Sequence, residues 1–451
     1  MKEQKTDFLQ GSVYRNIWSL ALPMMAAQLI NLLYNVVDRM YIGRIGDAGA
    51  MALTGLGLCF PIITIVSAFA SLFGSGGGPL CSIELGKGNE EEAERIMGNA
   101  FTMLLGTGIV LTGLGIAMHR TLLYWFGASD ATYPFARDYI LIYLCGTVLV
   151  MINLGMNGFL NSQGFGRAAM MTVTLGAAAN IVLDPVFIFA LGMGVKGAAL
   201  ATVLSQMLSC LWIMRFLTSP KAMLRLKRQT LRPQGRRVLR IAALGFSGFV
   251  MQANNGLVQI ACNATLQAFG GDLYVGVMTV VNTVREILTM PVLGFTNGAT
   301  PVISFDYGAG RMDRIKRSIR FITAAAVIYS LAAWALVFFF PRLFIRMFSG
   351  DGALVETAVP LLHLYFFGFF MMALQFAGQS TFLALGKSKQ ATFFSLLRKT
   401  FIVVPLTLLL PRVGGLGVRG VFMAEPVSNF VGGLACYGTM LWIVRRELKS
   451  R

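Results

Sequence analysis

The sequence predicts an all-α integral membrane protein of twelve transmembrane helices arranged as two pseudo-symmetric six-helix lobes. Three observations predict it. Of the 451 residues, 56% are hydrophobic and 13% charged, where a water-soluble chain carries about 25% charged residues. Apolar runs recur along the whole length, each near the roughly 20 residues that a helix needs to cross a bilayer. The chain also repeats itself at a shift of 222 or 223 residues.

In the first copy the spans fall at roughly 16–38, 49–79, 96–118, 134–160, 168–191 and 195–217. The first is interrupted by Pro23, Asn31 and Asn35 and lacks a small-residue cleavage site, so it reads as a span rather than a signal peptide. The second ends in GSGGGP at 74–79, and no Gly-Lys-Ser/Thr follows, so this glycine run is no phosphate loop. The fourth carries Asn153, Asn157 and Asn161 at intervals of four, and the fifth carries Asp184 and Pro185 in NIVLDPVFIF. Residues 1–217 make the first lobe, and 218–237, basic and holding Pro220 and Pro233, make an inner linker. The second lobe, 238–451, has spans at roughly 238–265, 273–304, 318–340, 355–385, 391–411 and 417–444.

The repeat is read from paired segments. GPLCSIELGKG, with its Pro at 79, matches TPVISFDYGAG, with its Pro at 301, and GMGVKGAA from Gly192 matches GLGVRGVF from Gly415. ALPM from Ala21 falls on ALGF from Ala243. Six spans per copy give both copies one orientation, and parallel repeats of this kind meet around a ligand site on an axis along the membrane normal. Two lobes rocking about a central cavity follow from that arrangement.

A net charge of +18 invites comparison with nucleic-acid binders, but its distribution argues otherwise. With a cytoplasmic N-terminus the inner segments hold 28 Lys and Arg and the outer loops 9, leaving Arg285 inside a span. This is the positive-inside pattern, which puts both termini in the cytoplasm. The basic run Lys221 to Arg240 then reads as a loop at the inner membrane surface. Neither the six scattered cysteines nor the two histidines form a metal or catalytic cluster, and no enzyme or cofactor is expected.

Four acids lie inside the spans: Asp38, Asp184, Glu286 and Glu425. A carboxylate at the bilayer centre costs about 2.5 to 3.5 kcal/mol on insertion scales, so each is a candidate site, against a structural ion pair as the alternative. Asn180 precedes Asp184 by one helical turn, and Asn31, Asn35 and Asp38 share a face of the first span. Helix-to-helix glue needs only occasional Asn. Two carboxylates together in a dry site do not both ionise cheaply; they take up a proton, or with carboxamide and hydroxyl oxygens they make a candidate Na+ site at Asp38, Asp184 and Asn180. Glu286 shares a face with Asn282 and Met290, which suits an organic cation, and adjacent Arg285 points too far away to neutralise it. The repeat sets Glu425 opposite Thr202 and leaves its role open. Pro23 and Pro185 each remove a backbone donor and mark points where their helices can bend.

These residues resemble a known pattern. PVISFDYGAGRMDRIKR from Pro301, its weaker copy from Pro79, LALPMMAAQLINLLYNVVDRMYIGRIG and GFLNSQGFGR are similar to segments of the multidrug and toxic compound extrusion (MATE) family, a MOP-type fold, in its bacterial DinF-like or MepA-like branch. The resemblance covers essentially the whole chain. It implies alternating-access antiport of cationic amphipathic compounds against H+ or Na+, with Asp38, Asp184, Asn180, Asn157 and Thr202 as the cation-coupling set. It further implies substrate contact at Glu286 and a bend at Pro23. The expected substrate set is Glu286, Asn282, Met290, Tyr34, Asn31, Gln252 and Gln379, with Pro185 as a second hinge, in a monomer of the bacterial inner membrane whose partners are the bilayer and small organic cations. Acids that some members hold in the seventh and tenth spans are replaced here by Gln252, Gln259, Gln375 and Gln379, which points coupling to the first lobe. A lipid-linked saccharide flippase or a metabolite exporter of the same superfamily is the alternative; the flippase wants an Arg-rich cavity, and only Arg285 is counted inside the spans.

Overall fold

The structure is a computed structural model that describes residues 6–9, 11–45, 49–348 and 352–450. Among these residues the chain is helical, with no strand. The first half comprises α1 (Val13–Ile42), α2 (Gly49–Gly86), α3 (Glu90–Trp125), α4 (Tyr133–Cys145), α5 (Thr147–Ser162), α6 (Gly166–Pro185) and α7 (Val195–Thr218). The second comprises α8 (Gly235–Gly270), α9 (Asp272–Gly308), α10 (Met312–Phe339), the short α11 (Pro341–Arg346), α12 (Gly352–Phe366), α13 (Met372–Ala384), α14 (Ser388–Leu396), α15 (Val404–Leu409) and α16 (Val418–Ser450).

Ten helical segments among the described residues are long and apolar enough to cross a membrane, and α4 with α5, bent by 59°, makes an eleventh. The 36-residue α8 holds the place in the second half that α1 holds in the first and completes the expected twelve, its middle diluted by Gln252, Asn254 and Asn255.

Where the expected spans are not single straight helices, the cause is local. The fourth breaks at Gly146, where a Cβ would come 2.6 Å from Val203 of α7. The tenth breaks at Gly368, which has φ +87° and backs onto the ring of Phe430. Behind Pro185 the fifth span continues as a π-helical turn, Val186–Ala190, which absorbs the missing donor and the clash of the ring with the preceding turn. A second π-helical stretch, Leu397–Val403, joins α14 to α15. By contrast α1 runs through Pro23 unbroken.

Close interlobe packing gathers in one half of the molecule. A Cβ at Gly76 would run into the Ile241 carbonyl, and one at Gly245 into the Leu72 carbonyl; Gly86 and Gly308 meet the backbone at Phe305 and Ile83 in the same way. On either side of Pro23, Ala21 and Met25 touch Gly298 and Gly294 of α9. In lipid there is no hydrophobic drive between helices, so small residues that let backbones approach supply the attraction. The interlobe ring pairs, Phe8–Phe305, Tyr14–Phe321, Trp18–Phe295 and Phe69–Phe249 among them, fall in this same half. It is the half that bears both ends of the described chain, since Phe8 packs beside the α9–α10 turn and Glu447 pairs with Lys387 of the α13–α14 turn. The lobes are thus closed at the end bearing the termini.

The 218–237 linker is more than a charged loop. Asn99 of α3 donates to the Thr230 and Arg232 carbonyls and accepts from the Gln234 amide. Lys227 pairs with Glu94 at 2.6 Å, and Leu224 donates its amide to Gln163. The basic run is therefore tied onto the first lobe by specific bonds.

Candidate functional site

Packing of α1 against α6 brings the carboxyl groups of Asp38 and Asp184 within hydrogen-bonding reach of one another. Asp184 is fully buried and Asp38 is 9% exposed. Asn180, a turn before Asp184, donates Nδ2 to its Oδ1 at 3.2 Å. Asp38 Oδ1, Asp184 Oδ2 and Asn180 Oδ1 are buried and accept no hydrogen bond among the described residues. Three buried acceptor atoms with no donor to them are costly in an apolar surround. A proton shared by the acids, or a hard monovalent cation held by the oxygens, removes that cost, so the residues fit either ion.

Asp38 and Asn180 line a cavity of about 410 Å³ within the first lobe; Asp184 lies behind them, off its wall. Asn31, Tyr34, Asn157 and Thr202 also line it, so the coupling set and two of the substrate residues expected from the sequence come together. Asn157 serves the wall, donating to the Ala169 carbonyl at 3.0 Å, and Asn153 donates to Gln206 at 2.5 Å. Tyr139, beside Thr202, and Tyr143 complete the polar wall. Their i, i+4 spacing in RDYILIYLC was the signal that sequence reasoning passed over. Arg39 at the rim stacks on Phe60, 4.7 Å from the ring centre.

The seven residues expected to contact substrate do not form one pocket. Asn282 lies in the second lobe, accepting from the Tyr365 hydroxyl at 3.1 Å and donating to Gln259 at 3.2 Å. Glu286 is exposed on α9, while Met290 and Gln252 are half-buried. Gln379 is buried and donates to Ser395 and the Ala391 carbonyl, tying α13 to α14.

Two cations besides Arg285 lie inside the spans. Arg398 and Lys399, tallied with the inner loops, sit buried on the π-helical stretch inside the eleventh span. Lys399 donates to Glu425 at 3.0 and 3.2 Å, and Arg285 reaches the same carboxylate at 3.8 Å. Arg285 is therefore not alone, and Glu425, whose role was open, is the counterion of a basic cluster. The inner tally falls to 26 against 9.

The fold and both halves have clear relatives. At 22% identity over 437 residues, covering 96% of each chain, the sequence is similar to the multidrug export protein MepA of Staphylococcus saprophyticus. It is likewise 22% identical over 439 residues, again 96% of each chain, to an FAD transporter of Shewanella oneidensis. The structure matches an outward-facing MATE family transporter of the MOP superfamily with a TM-score of 0.91 at 23% identity, covering 100% of this chain and 99% of that one. The family model described as MatE matches twice, at residues 23–186 and 248–409, once in each half. The chain belongs to the MatE family and is a multi-pass membrane protein.

Proposed function

We propose that this chain is a secondary active multidrug efflux antiporter of the bacterial cytoplasmic membrane, exporting cationic amphipathic compounds in exchange for H+ or Na+. One observation carries the reading: at the cavity of the first lobe Asp38 Oδ1, Asp184 Oδ2 and Asn180 Oδ1 are buried with no donor to them among the described residues. The cavity pairs that charge with apolar and aromatic wall, Met24, Tyr34, Phe60 and Met170, as an amphipathic cation requires. A coupling ion and a cationic drug want the same carboxylates, and each shifts the two-state equilibrium only through its preference for one state. With the termini cytoplasmic, as the charge asymmetry favours, the conformation closed at that end is the one that releases drug outward and takes up the ion. The similarity to a multidrug export protein supports the substrate class.

The test is ethidium accumulation in drug-sensitive bacteria expressing the chain or its Asp184→Asn variant at matched membrane levels. Wild type lowers accumulation and the variant does not; equal export by both contradicts the assignment.

A further inference from the structure

The second lobe holds a buried charge cluster for which cation coupling has no use. Around Glu425 stand Lys399 in hydrogen-bond contact, Arg398 at 3.7 Å and Arg285 at 3.8 Å. Arg398 also donates to Asn429 at 2.7 Å. Glu425, Lys399 and Arg398 are buried, and Arg285 is half-buried. Three cations thus share one carboxylate. Even with Lys399 neutral, two guanidiniums, which keep their protons, exceed one acid. Besides Glu425, the carboxylate acting on Arg285 among the described residues is Glu286, exposed and next along α9, where successive side chains point about 100° apart. A buried charge without its counterion is unfavourable.

The shortfall has a location. Arg285 Nε is buried without a hydrogen-bond partner among the described residues. Beside it lies a cavity of about 20 Å³ lined by Arg285, Lys399, Glu425, Gln259, Asn282 and Tyr365, room for one atom-sized group. Guanidinium and ammonium donors, with the amides of Gln259 and Asn282 on the same wall, suit a negative group and not a cation.

We propose that this is an anion-binding site, in which Arg285 and Lys399 receive a single negatively charged atom, either a free halide or one carboxylate oxygen of an organic anion. Glu425 acts as the built-in competitor: it holds Lys399 and Arg398 in place and lowers the attraction for a second anion. Occupancy by an anion makes the two lobes chemically opposite, an acid cluster in one and a basic cluster in the other.

Direct binding to the purified, detergent-solubilised full chain tests this without any gradient, so its failure leaves the coupling assignment of the first lobe untouched. Labelled chloride and labelled benzoate are titrated separately at constant ionic strength against empty micelles, on protein that stays monodisperse in gel filtration. Saturable binding of chloride identifies a free ion as the ligand, and of benzoate alone an organic anion; either supports the site. Arg285→Gln should weaken binding about tenfold to a hundredfold, the range for a hydrogen bond to a charged group. Glu425→Gln, which removes the competitor, should tighten it. No saturable binding of either probe to wild type overturns the proposal, as does Glu425→Gln weakening binding. Should Arg285→Gln fail to fold, the wild-type titrations and Glu425→Gln decide.

Discussion

Glu92 of α3 clasps Arg237 of α8 in a two-bond ion pair, at 2.9 and 2.6 Å, and so fastens the first turn of α8, where the linker ends, to the first lobe. Beside it Arg240 of α8 stands 3.6 Å from Glu84 of α2. Both pairs hold α8 against the first lobe beside the seam that closes the end bearing the termini.

Removing the clasp should loosen this closed state. Arg237 is only 9% exposed in its side chain, so Arg237→Gln leaves Glu92 poorly compensated and costs about 1 to 3 kcal/mol. A lower thermal midpoint of the purified protein checks it, together with faster thiol labelling of a cysteine placed at Ser75, which packs on Gly248 at the seam. An unchanged midpoint and labelling rate would show that the pair is idle.

The glycine seam gives a sharper prediction, because the obstruction is backbone. A Cβ at Gly245 meets the Leu72 carbonyl, which has no rotamer to escape into. Gly245→Ala should disfavour the conformation closed at the termini by about 1 to 3 kcal/mol, the usual cost of overpacking. Spin-label distances across the two ends of the lobes should shift toward closure at the opposite end; an unshifted distribution counts against the seam.

Stability and transport should part company at the acid pair. Asp38→Asn supplies an amide donor to Asp184 Oδ2, which has none among the described residues of wild type, where the Asn180 amide serves only Oδ1. The variant should gain about 1 kcal/mol or lose nothing in stability, yet lose ion-driven export, as sites kept strained for function do. Wild type should gain thermal stability when the coupling ion is supplied, by lower pH or by sodium, and Asp38→Asn should not.

At Gly368 the positive φ of +87° and the Phe430 ring against it leave no room for a side chain. Gly368→Ala should destabilise the second lobe by about 1 to 3 kcal/mol, read as a lower unfolding midpoint with ion-stimulated stabilisation at the first-lobe pair retained.

Much of this was legible because hydropathy and repeats report directly on burial and symmetry. Asp184 announced itself as a charge in an apolar run, and Asn180 one turn earlier gave it a face. Breaks were harder: Gly146 and Gly368 interrupt spans whose hydropathy is continuous, since what selects glycine there is a neighbouring helix far off in sequence. Arg398 and Lys399 were missed because a loop-by-loop count of basic residues absorbs cations lying one or two turns past a span's edge, and only tertiary contact with Glu425 reveals them as buried. Glu286 shows the converse, an acid inside a span that the fold leaves exposed. Helical spacing fixes which residues share a face, but not which faces meet.

The central claim, that Asp38 and Asp184 couple a monovalent cation to export, is tested most directly in proteoliposomes with ethidium on the termini side. Proton and sodium gradients are imposed one at a time from the opposite side. Wild type should move ethidium against its gradient with one of the two ions, and Asp184→Asn with neither. Gradient-driven export by Asp184→Asn at the wild-type rate would contradict the account.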